Sequence, residues 1–253
     1  MFRLRPVLAA GIFIVLALSG RPGTALGGEV RAAVAANFSA AAKDIAGLFA
    51  KETGHKTVLS FGSTGQLYTQ VTQGAPFDVF LAADRARPQK AVTEGFAVPD
   101  SRFTYATGRI VVYSRDAGRV DGEATLRAGK FTRLAIANPA TAPYGSAAVE
   151  TLRALGVYDA LRGRIVQGNN IAQTFQFVDS GNAEVGFVAL SQLAGISTGS
   201  KWVVPQNLHA VIAQDAVLLK RGARNEAARA FLQLLRGPQA RAVMEKLGYG
   251  PGS

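Results

Sequence analysis

Short apolar runs alternate along the chain with longer segments whose apolar residues recur at helical spacing. Residues 77–82 (FDVFLA) have the pattern of a buried strand, whereas Leu67 and Val71, four residues apart, mark one face of a helix. The predicted strands are residues 30–35, 56–60, 77–82, 109–114, 134–137, 164–167, 184–189 and 215–219, and the predicted helices are residues 38–49, 66–73, 145–155, 171–178, 225–235 and 238–247, with a further helix starting at 84. This alternation predicts an α/β fold of parallel sheets with helices on both faces. Ligands of such sheets bind at the carboxyl ends of the strands.

Four of the predicted strand-to-helix junctions are rich in amide and hydroxyl groups. They are residues 35–38 (AANF), 62–65 (GSTG), 138–145 (NPATAPYG) and 168–171 (GNNI), and none contains Lys, Arg, His, Asp or Glu. We expect Asn37 to cap the first helix and Ser63 and Thr64 to present hydroxyls at the second. Tyr144 brings a phenol to the third. If the four helix N-termini converged, at roughly half a positive charge each, they would match a dianion without a formal cation.

Neutral donors would give such an anion site its selectivity. Fixed N–H and O–H groups bind tightly only an oxyanion whose oxygens reach every donor, whereas a formal cation attracts any anion. Pocket size would then separate larger tetrahedral oxyanions from sulfate. The alternative is that each junction only caps its own helix, and that Tyr144 is a boundary aromatic with a hydrated hydroxyl.

The N-terminus has the pattern of a secretory signal peptide. Arg3 and Arg5 precede an apolar run at residues 7–18 that is short for a bilayer span, and small residues follow it. We therefore expect residues 1–27 to be removed and the mature chain to be soluble in the periplasm. The chain has no cysteine, which excludes disulfides, thiol catalysis and a lipid attached to an N-terminal cysteine.

The basic charge of the chain is dispersed. There are 28 basic and 17 acidic residues, and loss of Arg3, Arg5 and Arg21 would leave 25 against 17, a net charge of +8. The basic residues form no runs and do not alternate with aromatics, which argues against nucleic-acid binding.

A secreted enzyme is the competing class of protein. The two histidines, His55 and His209, fall in a predicted turn and a polar loop, where we expect surface residues. No Gly-x-Ser-x-Gly elbow, His-Glu-x-x-His pair or dinucleotide-binding glycine pattern is present. These observations favour a binding protein over a catalyst.

Longer stretches around the junctions resemble a known family. The stretches AANFSAAAKDIA (35–46), SFGSTGQLYTQ (60–70), GAPFDVFLAAD (74–84), NPATAPYG (138–145) and GFVALSQL (186–193) look like the periplasmic molybdate-binding proteins of ABC transporters. The similarity runs from about residue 29 to residue 249. It implies a two-lobed type 2 periplasmic binding protein, each lobe a mainly parallel sheet flanked by helices. Molybdate, and tungstate with it, would be held in the cleft and delivered to a membrane permease.

The resemblance also implies the ligand contacts. They would be Asn37, Thr64, Ser63 and the backbone of Ala36 from the first lobe, and Tyr144 and the backbone N–H of Ile171 from the second. Molybdenum would be bound only as the oxyanion, without direct metal ligands or a cofactor, by a monomer.

Some of these positions depart from the family pattern. One branch of the family has alanine where Tyr144 stands and tyrosine where Ala189 stands, and this chain follows the other branch. That branch often has threonine in place of Ala36, so only a backbone group is available there. Thr64 and Ile171 replace the more usual serine and valine, and the added carbon would tighten the pocket.

Two chain crossings should join the lobes, near residues 106–109 and 211–215. Lobe 1 would then comprise residues 28–107 and 214–253, and lobe 2 residues 108–213. We expect a bound anion to draw the lobes together, because donors on both gain a shared partner. Sulfate, iron or a small organic anion are alternative ligands for this fold. Iron sites favour clustered tyrosines, however, and none of the six tyrosines is adjacent to another in the sequence.

Overall fold

The computed structural model describes Phe2 and residues 27–252, so the predicted signal peptide (residues 1–27) lies almost entirely outside the described residues. The strands of the described part are β1 (Glu29–Ala35), β2 (Lys56–Gly62), β3 (Val79–Leu81), β4 (Phe103–Gly108), β5 (Ile110–Ser114), β6 (Leu134–Ala137), β7 (Ile165–Gly168), β8 (Val185–Ala189), β9 (Ser200–Val203), β10 (Ile212–Leu218) and β11 (Gly250–Pro251). Its α-helices are α1 (Ser39–Thr53), α2 (Thr64–Thr72), α3 (Ala86–Thr93), α4 (Ala124–Ala128), α5 (Pro143–Ala154), α6 (Tyr158–Leu161), α7 (Ile171–Asp179), α8 (Glu226–Arg236) and α9 (Pro238–Lys246). Within residues 27–252, no helix is both long and apolar enough to cross a bilayer.

The strands form two sheets, each the centre of one lobe. The first sheet has the order β11-β4-β10-β3-β1-β2 and the second the order β7-β6-β8-β5-β9. β1 pairs in parallel with β2 and β3, and β6 with β7 and β8, but the remaining pairs are antiparallel. Two α/β lobes with flanking helices are confirmed, whereas the prediction that each sheet is mainly parallel is wrong. Every antiparallel pair involves β4, β5 or β10. These strands adjoin the crossings between the sheets, so their direction is not set by a strand–helix–strand unit.

Helices cover both faces of each sheet. On one face of the first sheet, Phe49 of α1 and Phe231 of α8 pack edge to face, with ring centroids 5.3 Å apart. On the other face, Leu67 of α2 lies in the same apolar cluster as Phe80 of β3. In the second lobe, α5 lies in the apolar cluster of Ile110 and Val112 of β5, and Val178 of α7 lies in the cluster of Val111 and Tyr113. Each sheet is therefore buried on both sides, as the apolar runs of its strands require.

β4 and β10 lie side by side where the two lobes meet. The chain leaves the first sheet after Gly108, at the end of β4, and enters the second sheet at Ile110. It returns to the first sheet at Ile212, which pairs with Gly108. The pairing of these strands shifts register between Gln214 and Asp215.

Strand register brings the predicted junctions together in pairs. The last residue of β1, Ala35, pairs with Gly62 at the end of β2. In the second sheet, Ala137 at the end of β6 pairs with Gly168 at the end of β7. Because parallel strands that end in register release their chains at one sheet edge, each lobe presents two neighbouring junctions to the cleft.

Candidate functional site

All six residues predicted as ligand contacts line one cavity between the lobes. The lining is Ala35, Ala36, Asn37, Gly62, Ser63, Thr64, Ala83, Ala142, Pro143, Tyr144, Asn170 and Ile171. None of these twelve residues carries a charge. The cavity is small: its volume is about 10 Å³, far below the ~300–1,000 Å³ of sites for drug-sized ligands. Its size suits a ligand of a few heavy atoms.

The two hydroxyls at the start of α2 have different tasks. Ser63 is the N-cap residue, and its oxygen accepts from the N–H of Gln66 at 3.4 Å while its hydroxyl donates to Gln66 Oε1 at 2.9 Å. Thr64 begins the helix, is 1% exposed, and accepts the N–H of Ala83 at 3.0 Å. A hydroxyl that accepts this bond still has its own hydrogen to donate. Thr64 is thus the better placed donor, and the hydroxyl of Ser63 is engaged in its helix cap.

The prediction that Asn37 caps the first helix is wrong. A single 3-10 turn, Ala36–Phe38, precedes α1, and the N-cap residue Phe38 makes no side-chain cap bond. The Asn37 side chain instead donates through Nδ2 to Gln214 Oε1 at 2.9 Å. Asn37 remains in the cavity lining, but a distant glutamine fixes its amide.

In the second lobe, helix starts place a phenol and a backbone donor in the cavity. α5 begins at Pro143, two residues before its predicted start at residue 145, and Tyr144 follows with 2% exposure. Ile171 is the first residue of α7, after Asn170. The Asn170 side chain accepts the N–H groups of the next two residues at 2.9 and 3.0 Å. This cap leaves the first N–H of the helix, that of Ile171, without an intrahelical partner.

Three tyrosines that are far apart in the sequence meet beside the cavity. Tyr144, Tyr105 and Tyr249 are all buried. Gln214 bonds to the first two, and Asn37 bonds to the third. The absence of adjacent tyrosines in the sequence therefore does not exclude a cluster, because the fold gathers one from β4, one from α5 and one from the loop before β11. Of the three, only Tyr144 lines the cavity.

Burial keeps these phenols protonated. It raises the pKa of Tyr144 well above 10.0, although the amide groups of Gln214 and Asn37 act in the opposite direction. Burial also raises the pKa of Tyr105 and of Tyr249. A neutral phenol is a hydrogen-bond donor, as an oxyanion ligand requires.

Hydrogen bonds join the two lobes around the cavity. The N–H of Gly65 donates to the Thr141 carbonyl at 2.8 Å, and the Ser191 hydroxyl donates to the Asn37 carbonyl at 3.0 Å. The guanidinium of Arg87 adds a bond to the carbonyl of Ala140 at 3.1 Å. The lobes are thus in direct contact on both sides of the cavity.

Neither histidine lines this cavity. Nδ1 of His55 accepts the N–H of Gly28 at 2.9 Å. His209 is only 9% exposed, and its Nδ1 lies 2.7 Å from the Ala210 carbonyl oxygen. The expectation that His209 is a surface residue is therefore wrong. Among the described residues, no three His, Cys, Asp or Glu side chains are grouped as a metal site.

Comparison with known proteins places the chain in a family. Residues 30–250 match the family of bacterial extracellular solute-binding proteins. The molybdate-binding protein ModA of Rhodobacter capsulatus is 50% identical over 242 residues, which are 96% of each chain. ModA of Azotobacter vinelandii is 52% identical over 226 residues, 88% of this chain and 90% of the relative. The solved structure of the Azotobacter vinelandii periplasmic molybdate-binding protein has a TM-score of 0.84 at 41% identity, covering 87% of this chain and 98% of its own. The chain therefore belongs to the bacterial extracellular solute-binding proteins, among the periplasmic molybdate-binding proteins of ABC transporters.

Proposed function

We propose that this chain captures molybdate, and tungstate with it, in the cavity between its lobes and delivers it to the membrane permease of an ABC transporter. The observation that carries the proposal is a small uncharged cavity lined by all four junctions. Membership of the molybdate-binding family supports the choice of anion. Binding, without catalysis or a cofactor, is the proposed activity.

Neutral groups on both lobes hold the oxyanion in this proposal. The first lobe supplies the hydroxyl of Thr64 and the polar groups of Ala36, Asn37 and Ser63. The second lobe supplies the phenol of Tyr144 and the backbone N–H of Ile171. The helices α2, α5 and α7 begin at the cavity, so their N-terminal partial charges add to the attraction. Together these groups replace the water shell of the dianion with donors that are already fixed.

Size provides the selectivity. Tungstate has the charge and shape of molybdate, so the same donors reach its oxygens. Sulfate is smaller and cannot touch the donors of both lobes at once, and a donor that remains buried and unpaired costs free energy.

The proposed place of action is the periplasm. Residues 1–27 would direct export and then be removed. The mature chain would act as a monomer and dock on the permease, with no role for nucleic acid.

Isothermal titration of the purified chain with molybdate, tungstate, sulfate and phosphate tests the function. We expect tight binding of the first two anions and far weaker binding of the others.

Thr64→Ala and Tyr144→Phe should each weaken the binding of molybdate about 10-fold or more, because a hydrogen bond to a charged group is worth roughly 1.5–3 kcal/mol. Tyr158→Phe, outside the cavity, is the control for the tyrosine variant. Comparable binding of sulfate would contradict the size argument, and full affinity in both variants would remove these two side chains from the site.

Gly65→Ala should weaken molybdate binding by opposing closure of the lobes. A Cβ at this position would lie 3.0 Å from the Thr141 Cα of the second lobe, a contact that exists only when the lobes meet, and 3.1 Å from an Arg87 nitrogen of its own lobe. The backbone itself accepts alanine, since Gly65 has no positive φ. We expect a loss of about 10-fold, near the lower end of the ~1–3 kcal/mol cost of overpacking, and an unchanged melting temperature without ligand.

Small-angle scattering with and without molybdate provides the second measurement for this variant. The radius of gyration of the unaltered chain should fall when molybdate saturates it, and Gly65→Ala should require more molybdate for the same change. Gly47→Ala, on the exposed side of α1 with nothing within 4 Å of its Cβ, is the control. A radius that does not respond to molybdate would count against closure.

A further inference from the structure

Gln214 is a buried residue that links the donors of both lobes. It lies on β10 beside the register shift and is 0% exposed. Its Oε1 is 2.9 Å from Asn37 Nδ2 and 2.9 Å from the hydroxyl of Tyr105. Its Nε2 is 3.3 Å from the hydroxyl oxygen of Tyr144. The residue does not itself line the cavity.

These contacts fix the direction in which the Tyr144 phenol donates. The Gln214 oxygen receives the donors of the first lobe, so its amide N–H groups face Tyr144. A phenol oxygen that accepts from an amide cannot also donate to it, and its single hydrogen must point elsewhere. We propose that Gln214 is a positioning residue that turns the Tyr144 hydroxyl hydrogen toward the bound oxyanion. This inference rests on the proposed function.

A glycine beside the pair reserves the space for this contact. A Cβ on Gly108 would lie 2.2 Å from the Tyr144 hydroxyl oxygen and 2.6 Å from Gln214 Nε2. The φ of Gly108 is not positive, so its backbone conformation does not demand glycine. The absence of a side chain at Gly108 therefore allows the Tyr144 hydroxyl and the Gln214 amide to approach each other.

The consequence is that Tyr144 presents a donor and not a lone pair to the ligand. Molybdate and tungstate, fully deprotonated at neutral pH, accept hydrogen bonds at every oxygen. Hydrogen phosphate carries a proton that needs an acceptor in the site. With Tyr144 held as a donor, its oxygen offers no such acceptor, and Gln214 thus contributes to selectivity without touching the anion.

A double-mutant cycle with molybdate tests the inference. Gln214→Glu keeps the shape of the side chain, but its carboxylate can only accept, so the Tyr144 hydrogen should turn away from the cavity. In the unaltered chain, Tyr144→Phe should cost about 10-fold in affinity. In the Gln214→Glu chain, Tyr144→Phe should cost less than about 2-fold, or improve binding, because the phenol there presents its lone pairs to the anion.

The cycle separates the proposed role from other effects of the substitution. The added charge repels molybdate equally with and without the Tyr144 hydroxyl, so it cancels when the two Tyr144→Phe effects are compared. Gln214→Met, which has no charge, provides a second cycle, in which the Tyr144→Phe cost should again shrink. Thermal unfolding identifies any variant that does not fold, and the cycle is then read from the other variant. An equal 10-fold cost of Tyr144→Phe in all three chains overturns the positioning role, whereas failure of the unaltered chain to bind molybdate overturns the proposed function itself.

Discussion

Replacement of Gly108 by alanine should weaken molybdate binding by about 100-fold or more. The new Cβ would lie 2.2 Å from the Tyr144 hydroxyl oxygen, far inside contact distance. Both Tyr144 and Gln214 are buried, so neither can move aside into solvent. The expected cost is near the upper end of the ~1–3 kcal/mol that overpacking brings, and displacement of the phenol adds the loss of a donor. Titration calorimetry measures the affinity, and thermal unfolding measures the cost to the fold.

Two companion variants isolate the cause of this loss. Gly47→Ala changes an exposed helical glycine and should leave the affinity unchanged, because nothing lies within 4 Å of its Cβ. Adding Tyr144→Phe to Gly108→Ala removes the nearest oxygen, and we expect it to recover part of the lost melting temperature. If Gly108→Ala bound molybdate as tightly as the unaltered chain, Tyr144 and Gln214 would have enough space to accommodate the added methyl group, which would contradict the prediction.

Ile171→Pro should also reduce affinity by about 100-fold, through the loss of one backbone N–H. Proline is well tolerated at the first residue of a helix, where its missing N–H has no intrahelical partner. The preceding residue, Asn170, is extended (φ −154°, ψ 174°), as a residue before proline should be. The helix should therefore persist. The ring removes the donor and puts a carbon in its place, and a hydrogen bond to a charged group is worth roughly 1.5–3 kcal/mol.

Comparison with Ile171→Ala separates the donor from the side chain. Both variants lose the buried apolar side chain, but only the proline loses the N–H. Ile171→Val, which keeps a branched apolar side chain, should bind nearly as well as the unaltered chain. Calorimetry with molybdate gives the three affinities, while circular dichroism reports whether α7 is intact. Equal affinity of the proline and alanine variants would remove this backbone group from the list of ligand contacts.

The sequence was sufficient to locate the cavity because each junction is a local feature. Strand ends, cap residues such as Asn170, and the proline at the start of α5 are determined within a few neighbouring residues. Once β1 and β2 end in register, as β6 and β7 do, the two junctions of each lobe lie side by side at one sheet edge. Local patterns therefore predicted which residues line the cavity.

The contacts behind the cavity could not be predicted in this way. Asn37 and Gln214 are separated by 177 positions, and Asn37 and Tyr249 by 212. No periodicity or motif relates residues at such distances, because their meeting depends on how β10 and the C-terminal segment pack. For the same reason the sequence did not identify the space at Gly108. The sheet directions were missed because β4 and β10 lie beside crossings that a strand–helix pattern does not reveal.

Hydrogen bonds join Asn37, in the first junction, to residues in the C-terminal part of the chain. The carbonyl of Asn37 accepts from Tyr249 at 2.6 Å, and its side chain reaches Gln214 at 2.9 Å. A chain that lacks Gln214 and Tyr249 therefore lacks the groups that orient its own first junction. The geometry of that junction is complete only when the C-terminal part of the chain has packed against it, so the first strands and helices alone cannot form their half of the cavity.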